Sequence, residues 1–268
     1  MQKTAPSTSS DRYGWLTADG RLQLFCPRSW REMSQEQLHY ALHVIGSGLY
    51  SSVEGRTLML LNFTGMEVKE KTPYGWACIV PVGSAGGKKL RRHHFFMQSW
   101  QVQDMIKQLE FVDGYETFDV RLESIGGFKA VDGLLHGVRF HDYLQMEKHY
   151  QGYLATREHR YALGLARLLY PGGVTAIDDA ELTNCVMWFS HIKKELSRHF
   201  RHFFRPAPVS QGKAVNWLEL MNAQIRALTD GDITKEQAVY DKDCWRALTE
   251  LDAKAREAEE FRKKYPNA

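Results

Sequence analysis

Three histidines, His191, His199 and His202, stand eight and three residues apart in a stretch that reads as one helix. At that spacing they share roughly one face, as a helical metal site would require. The remaining pattern argues against a metal. No Asp or Glu falls at the same spacing, HExxH is absent, and Lys193, Lys194, Arg198 and Arg201 would repel a cation. A polar or partner-facing stripe is the expectation. Gly83-Ser84-Ala85-Gly86-Gly87-Lys88-Lys89 has the glycine density of a phosphate loop. Such a loop needs Gly five positions before its Gly-Lys pair and Ser or Thr after it, where Val82 and Lys89 stand. A glycine-rich hairpin tip accounts for it. Asp230-Gly231-Asp232-Ile233-Thr234 has calcium-loop residues, but Lys235 occupies the sixth position and Asp241 the twelfth, which want Gly and Glu. Helix capping by Asp232 or Thr234 explains them. GxSxG is absent, and no cysteine carries the local signature of a nucleophile. The chain is therefore expected to be no enzyme and to use no metal or organic cofactor. A hydrolytic site assembled only in the fold is the third reading, and a deep polar pocket would revive it.

Charge and aromatic residues offer a different chemistry. Lys88, Lys89, Arg91, Arg92, His93 and His94 form a basic run on the expected hairpin. Such a ribbon can contact phosphates, or it can be an edge strand guarded by charge. The stretch His191 to Arg205 is a basic, aromatic, amphipathic helix carrying Lys193, Lys194, Arg198 and Arg201. Phe189, Leu196, Phe200, Phe203 and Phe204 would form its core face. The last helix carries Trp245 and four acid-first pairs at i,i+4: Glu250/Lys254, Asp252/Arg256, Glu259/Lys263 and Glu260/Lys264. Its narrow Ala-rich stripe suits packing on the protein's own body or on another helix.

Behind these features stands an ordinary globular composition, with 268 residues and a net charge of +3. That charge is modest for a nucleic-acid binder, so local patterns matter more than the total. Cys26, Cys78, Cys185 and Cys244 are far apart and form no CxxC pair, so neither zinc nor a disulfide framework is expected. They read as reduced, mostly buried thiols. Residues Met1 to Ser10 lack the apolar core of a signal peptide, and no apolar run approaches the roughly 20 residues that span a bilayer. The expected location is the cytoplasm, without a membrane partner.

The elements that would position these residues follow from periodicity. Residues 1–11 read as disordered. Trp15 to Phe25 fits a hairpin around Asp19-Gly20. Ser34 with Gln37 opens one helix as a capping box, and Val53 to Phe63 makes a second, capped at Gly65. Tyr74 to Val82 and Lys88 to Met97 read as paired strands, and Ser99 as the cap of a third helix. Phe118 to Val131 is extended, broken at Gly126-Gly127. Helices then follow at Phe140 to Tyr150, at Tyr161 to Leu169, from an N-cap at Thr175 or Asp178 to Phe204, and at Val215 to Leu228. A last one opens at a Thr234/Gln237 capping box. The expected fold class is α+β, mainly α: a small α+β domain with a β-hairpin over 12–135, then a helical domain over 136–268.

The segment Met221-Asn222-Ala223-Gln224-Ile225-Arg226-Ala227-Leu228-Thr229-Asp230-Gly231-Asp232-Ile233-Thr234-Lys235-Glu236, with Trp245-Arg246-Ala247-Leu248-Thr249-Glu250-Leu251, resembles the C-terminal part of proteins encoded in tailed-phage and prophage structural gene clusters. Phe140-His141-Asp142-Tyr143 through Leu169-Tyr170-Pro171 is also similar. About half the chain is covered, and the family has no catalytic motif to carry over. The resemblance implies a bacterial host and a role in virion morphogenesis, including the tail. The expected function is non-enzymatic assembly through contacts with other phage structural proteins or by self-association. Lys88, Lys89, Arg91, Arg92, Lys193, Lys194, Arg198, Arg201 and Trp245 are the candidate contact residues. The alternative is a nucleic-acid-binding protein of a mobile element, using the basic hairpin 88–94 and the basic helix 191–205.

Overall fold

The computed structural model describes residues 14–17, 19–49, 52–84, 87–205 and 217–265. The expected disordered segment 1–11 lies outside them. The fold is α+β and mainly α, with two compact units. The first comprises Met1–Leu122 and Asp178–Asn184; the second, Glu123–Ile177 and Cys185–Ala268.

In the first unit, β1 (Gly14–Leu16) and β2 (Leu22–Leu24) pair antiparallel as the expected hairpin, whose turn uses Gly20 at φ +80°. Ser34 caps α1 (Gln35–Gly46): its Oγ accepts from the Gln37 amide while Gln37 Oε1 accepts from the Ser34 amide. Ser52 caps α2 (Val53–Thr64), which ends on left-handed Gly65. Leu38, Leu42, Met59, Leu60 and Phe63 of these helices are almost wholly buried.

Three antiparallel strands follow: β3 (Glu67–Thr72), β4 (Gly75–Ser84) and β5 (Gly87–Gln98). Beyond β3, one parallel pair, Trp15 to Gly83, attaches the first hairpin to β4. Sequence periodicity did not predict β3. Its residues are Glu-Val-Lys-Glu-Lys-Thr, with one apolar side chain, as befits a charge-guarded strand at a sheet margin. Cross-sheet contacts hold it, with Lys71 Nζ 5.2 Å from the Trp76 ring centre and Glu67 3.6 Å from Arg92. Helix α3 (Ser99–Gln108) differs from expectation at its start. Ser99 is its first residue and Gln98 is the cap, because Gln101 Oε1 accepts from the Gln98 amide at 2.9 Å.

The second unit opens on a two-residue hairpin, β6 (Ser124–Ile125) and β7 (Phe128–Lys129), turned by Gly126 and Gly127 at positive φ. Helices α4 (Phe140–Thr156) and α5 (His159–Leu169) then interlock through glycines. A Cβ on Gly152 would stand 2.6 Å from the Tyr161 ring, and one on Gly164 would stand 2.4 Å from the His149 ring. Each helix thus lays a ring over the other's glycine. Burial, aided by Lys148, holds the His149 imidazole below its ordinary value. Folding therefore favours the neutral ring. Its contribution is complete above the unfolded value of about 6.5 and is lost as pH falls through that value toward the lower folded one. The urea midpoint is expected to drop between about pH 7 and about pH 5. The drop should be smaller in His149→Phe, and an equal drop in both proteins would exclude this ring as the source.

Helix α6 (Asp179–His199) begins with a capping box, Asp178 Oδ1 accepting from the Glu181 amide at 2.8 Å. It stops five residues short of the expected Phe204. Helices α7 (Trp217–Thr229), α8 (Glu236–Tyr240) and α9 (Cys244–Lys264) complete the unit. The expected single helix from Thr234 is interrupted at residues 241–243, which pair with residues 137–140 instead. The Phe140 amide donates to Lys242 O, and the Cys244 amide to Val138 O, both at 2.7 Å. Asp243 caps α9 and also accepts from the Gly137 amide.

All four cysteines are free and buried. Burial pushes the Cys26 thiol up to about 12. Among the described residues no helix is long and apolar enough to cross a membrane.

Candidate protein-contact surface

The basic helix does not present all its charges outward. Ile192 and Leu196 are fully buried, with Phe200 nearly so, and they fix the orientation of α6. Lys193 turns inward. Its Nζ pairs with Glu147 Oε1 and lies 5.1 Å from the Tyr150 ring centre. Lys193 is thus engaged by a buried carboxylate, with 28% of its side chain still exposed. Lys194 is half-buried. Arg198 and Arg201 are exposed: Arg198 bonds Glu195, and Arg201 Nε donates to Arg198 O at 3.3 Å.

Beyond His199 the chain turns, and α9 secures the turn. One oxygen of Asp252 accepts from the His202 and Phe203 amides at 2.8 and 2.9 Å. Those bonds replace helical ones and explain the early end of α6. Glu259 collects Lys263, Arg205 and His202, which pull its carboxyl down to about 2. This contribution is whole above the ordinary carboxylate range and is lost as pH falls toward 2. Of the four expected pairs along α9, Glu259/Lys263 forms at 2.7 Å. Lys254 reaches Asp230 instead, at 2.6 Å, and Asp252 serves as the cap. Asp252→Ala is expected to lower stability by about 1–3 kcal/mol, because two amides lose a charged acceptor. Urea unfolding measures this; an unchanged midpoint would mean that the turn holds without the carboxylate.

Trp245, half-buried on the first turn of α9, gathers three rings: His136 at 4.6 Å, Phe200 at 4.9 Å and His199 at 5.1 Å between centroids. His136 is held by the loop before α4, where Asp132 Oδ1 accepts from the Leu134 and His136 amides and buried Leu135 takes φ +61°. Arg198, His199, Arg201 and His136 are exposed around half-buried Trp245 on this surface. Sequence reasoning named Arg198, Arg201 and Trp245 but missed His136, Asp252 and Glu259. Asp252 and Glu259 stand seven residues apart, on one face of α9. That spacing opposite a basic run was the available signal. Farther along, α9 exposes Phe261 and Tyr265, whose rings are 5.0 Å apart.

The second basic feature belongs to the first unit. Arg91, Arg92 and His94 are exposed on β5. The side chains of Lys88 and Lys89 lie outside the described residues. Among the described residues no group of three or more His, Cys, Asp or Glu is placed to hold a metal.

Comparisons of the chain with protein-family models, with curated proteins and with solved structures give no match.

Proposed function

We propose that this chain is a non-enzymatic protein of tailed-phage or prophage particles that assists virion assembly, including the tail, through contacts with other structural proteins. The phage context rests on the sequence resemblance of the α4–α5 and α7–α9 stretches. The surface at the end of α6 carries the contact role. Arginine and aromatic side chains supply most of the energy at protein interfaces. Here Arg198 and Arg201 stand beside Trp245 on a turn held firmly by Asp252 and Glu259. A preorganised surface binds at lower entropic cost than a mobile one.

Capture from cells making the virion proteins tests this role. The tagged chain is expected to retain a structural protein of the particle, and Arg198→Glu with Arg201→Glu to lose it. Unchanged capture by the double variant would overturn the assignment. Light scattering on a sizing column reads self-association in the same preparation.

The exposed Arg91, Arg92 and His94 favour a second reading, nucleic-acid binding. It predicts co-elution with nucleic acid that high salt strips away, because phosphate contacts release counterions. The inward turn of Lys193 leaves the basic helix with less charge for this purpose.

A further inference from the structure

Strand β5 is the longest among the described residues, and β4 occupies one of its edges. Among the described strands nothing pairs with the other edge. A groove of about 480 Å³ opens against β5, lined by Phe95, Phe96 and Met97, with Leu22 and Leu24 of β2 and Met105 of α3 among the facing residues. Side chains of successive strand residues alternate between faces. A groove touching three in a row therefore reaches the strand's backbone as well as its apolar side chains. Arg28 lines the same groove, and Arg91, Arg92 and His94 continue the positive charge along the strand.

An open edge offers unpaired amides and carbonyls to another extended chain. Charge decides which chain. Two copies of β5 laid side by side would bring basic residues opposite basic residues, which is destabilising. An acidic strand meets the opposite situation. We propose that the groove takes an extended, acidic segment of a partner protein, which adds to the outer edge of β5 as a further strand. Its backbone bonds the edge, its apolar side chains face the space lined by Phe95, Met97 and Met105, and its carboxylates, alternating to the other face, meet Arg92 and His94. This is recognition by strand addition, in which main-chain bonds give affinity and pockets give selectivity. It rests on the reading of the chain as a protein-contact component, but it uses the first unit and is independent of the Arg198–Trp245 surface.

Fluorescence anisotropy on the full chain tests it with three labelled probes of about eight residues, a common strand length. They are an alternating Glu/Val peptide, an alternating Lys/Val peptide and a Glu/Pro peptide of the same charge. A single-stranded oligonucleotide is the fourth probe. The Glu/Val peptide is expected to bind and the Lys/Val peptide to fail. The Glu/Pro peptide should also fail, because proline removes the amides that a ladder needs. Arg92→Gln with His94→Gln removes the facing basic side chains without setting a new charge beside Glu67, and should weaken binding at least about tenfold, with an unchanged circular dichroism spectrum. Arg198→Glu with Arg201→Glu should leave peptide binding intact. Equal binding of the Glu/Val and Glu/Pro peptides would overturn the proposal, as would a Glu/Val peptide that does not bind. Binding of the oligonucleotide alone would reassign the basic strand to nucleic acid. Loss of virion-protein capture with peptide binding retained would show the two surfaces failing separately.

Discussion

Lys193→Ala is expected to lower the free energy of unfolding by about 1–3 kcal/mol, the range for leaving a mostly buried charged group without its partner. The Glu147 side chain is 7% exposed and shares one oxygen between Lys193 Nζ and Gln151 Nε2. Its other oxygen is buried without a hydrogen-bond partner in the structure. Tyr143 is fully enclosed nearby, and burial followed by the charge of Glu147 raises its hydroxyl well above the ordinary tyrosine value. Removing the ammonium would leave the carboxylate with the Gln151 amide and without its charged donor. Lys193→Met combined with Glu147→Gln should recover much of the loss, since it removes both charges and keeps the volume. Urea unfolding of the single and double variants gives the comparison. A single variant within about 0.5 kcal/mol of the parent would match an ordinary surface lysine and refute an internal role.

Gly55→Ala is expected to destabilise by about 3 kcal/mol or more, against the rule of helix propensity. Within a helix, alanine is favoured over glycine by about 1 kcal/mol. Here packing outweighs that gain. A Cβ on Gly55 would stand 1.8 Å from the Leu49 carbonyl oxygen and 2.6 Å from its carbon. Neither atom is a side chain that can swing aside. The same oxygen accepts from the Ser52 amide at 3.1 Å and from Ser52 Oγ at 2.7 Å, so Ser52 is anchored on it twice. Relief would break those bonds and move Ser52, which caps α2 by accepting from the Gly55 amide. Thermal unfolding of Gly55→Ala checks this, and a raised melting temperature would show that the corner yields easily.

Local signals in the sequence were reliable where the chain's own neighbours decide the conformation. The Ser34/Gln37 box, left-handed Gly65 and the Gly126-Gly127 turn all form as the residues require. Mistakes gathered where a distant residue captures a backbone group. Helix α6 stops early because Asp252, about fifty positions away, takes the His202 and Phe203 amides. The last helix starts late because residues 137–140 bond Lys242 O and the Cys244 amide and keep residues 242 and 243 out of the helix. Lys193 shows the same limit for a site. Its spacing puts it on a basic helix, but only tertiary packing places Glu147 beside it. Arg198, Arg201 and Trp245 were singled out by residue type, and the structure sets Trp245 against His199 and Phe200, which lie between the two arginines in the chain.

The division of α6 has a consequence for how the protein can be made. The first unit uses the seven residues Asp178–Asn184 as part of its own structure. Asn184 Oδ1 accepts from the Leu122 amide at 2.9 Å, and Asp178 reaches His39 at 3.0 Å. A nascent chain leaving the ribosome therefore cannot complete its N-terminal unit when Leu122 emerges. It must wait until the start of α6 has itself emerged, with α4 and α5 already outside. Vectorial, unit-by-unit maturation is closed to this topology, and a fragment cut at residue 122 would lack the piece that finishes it.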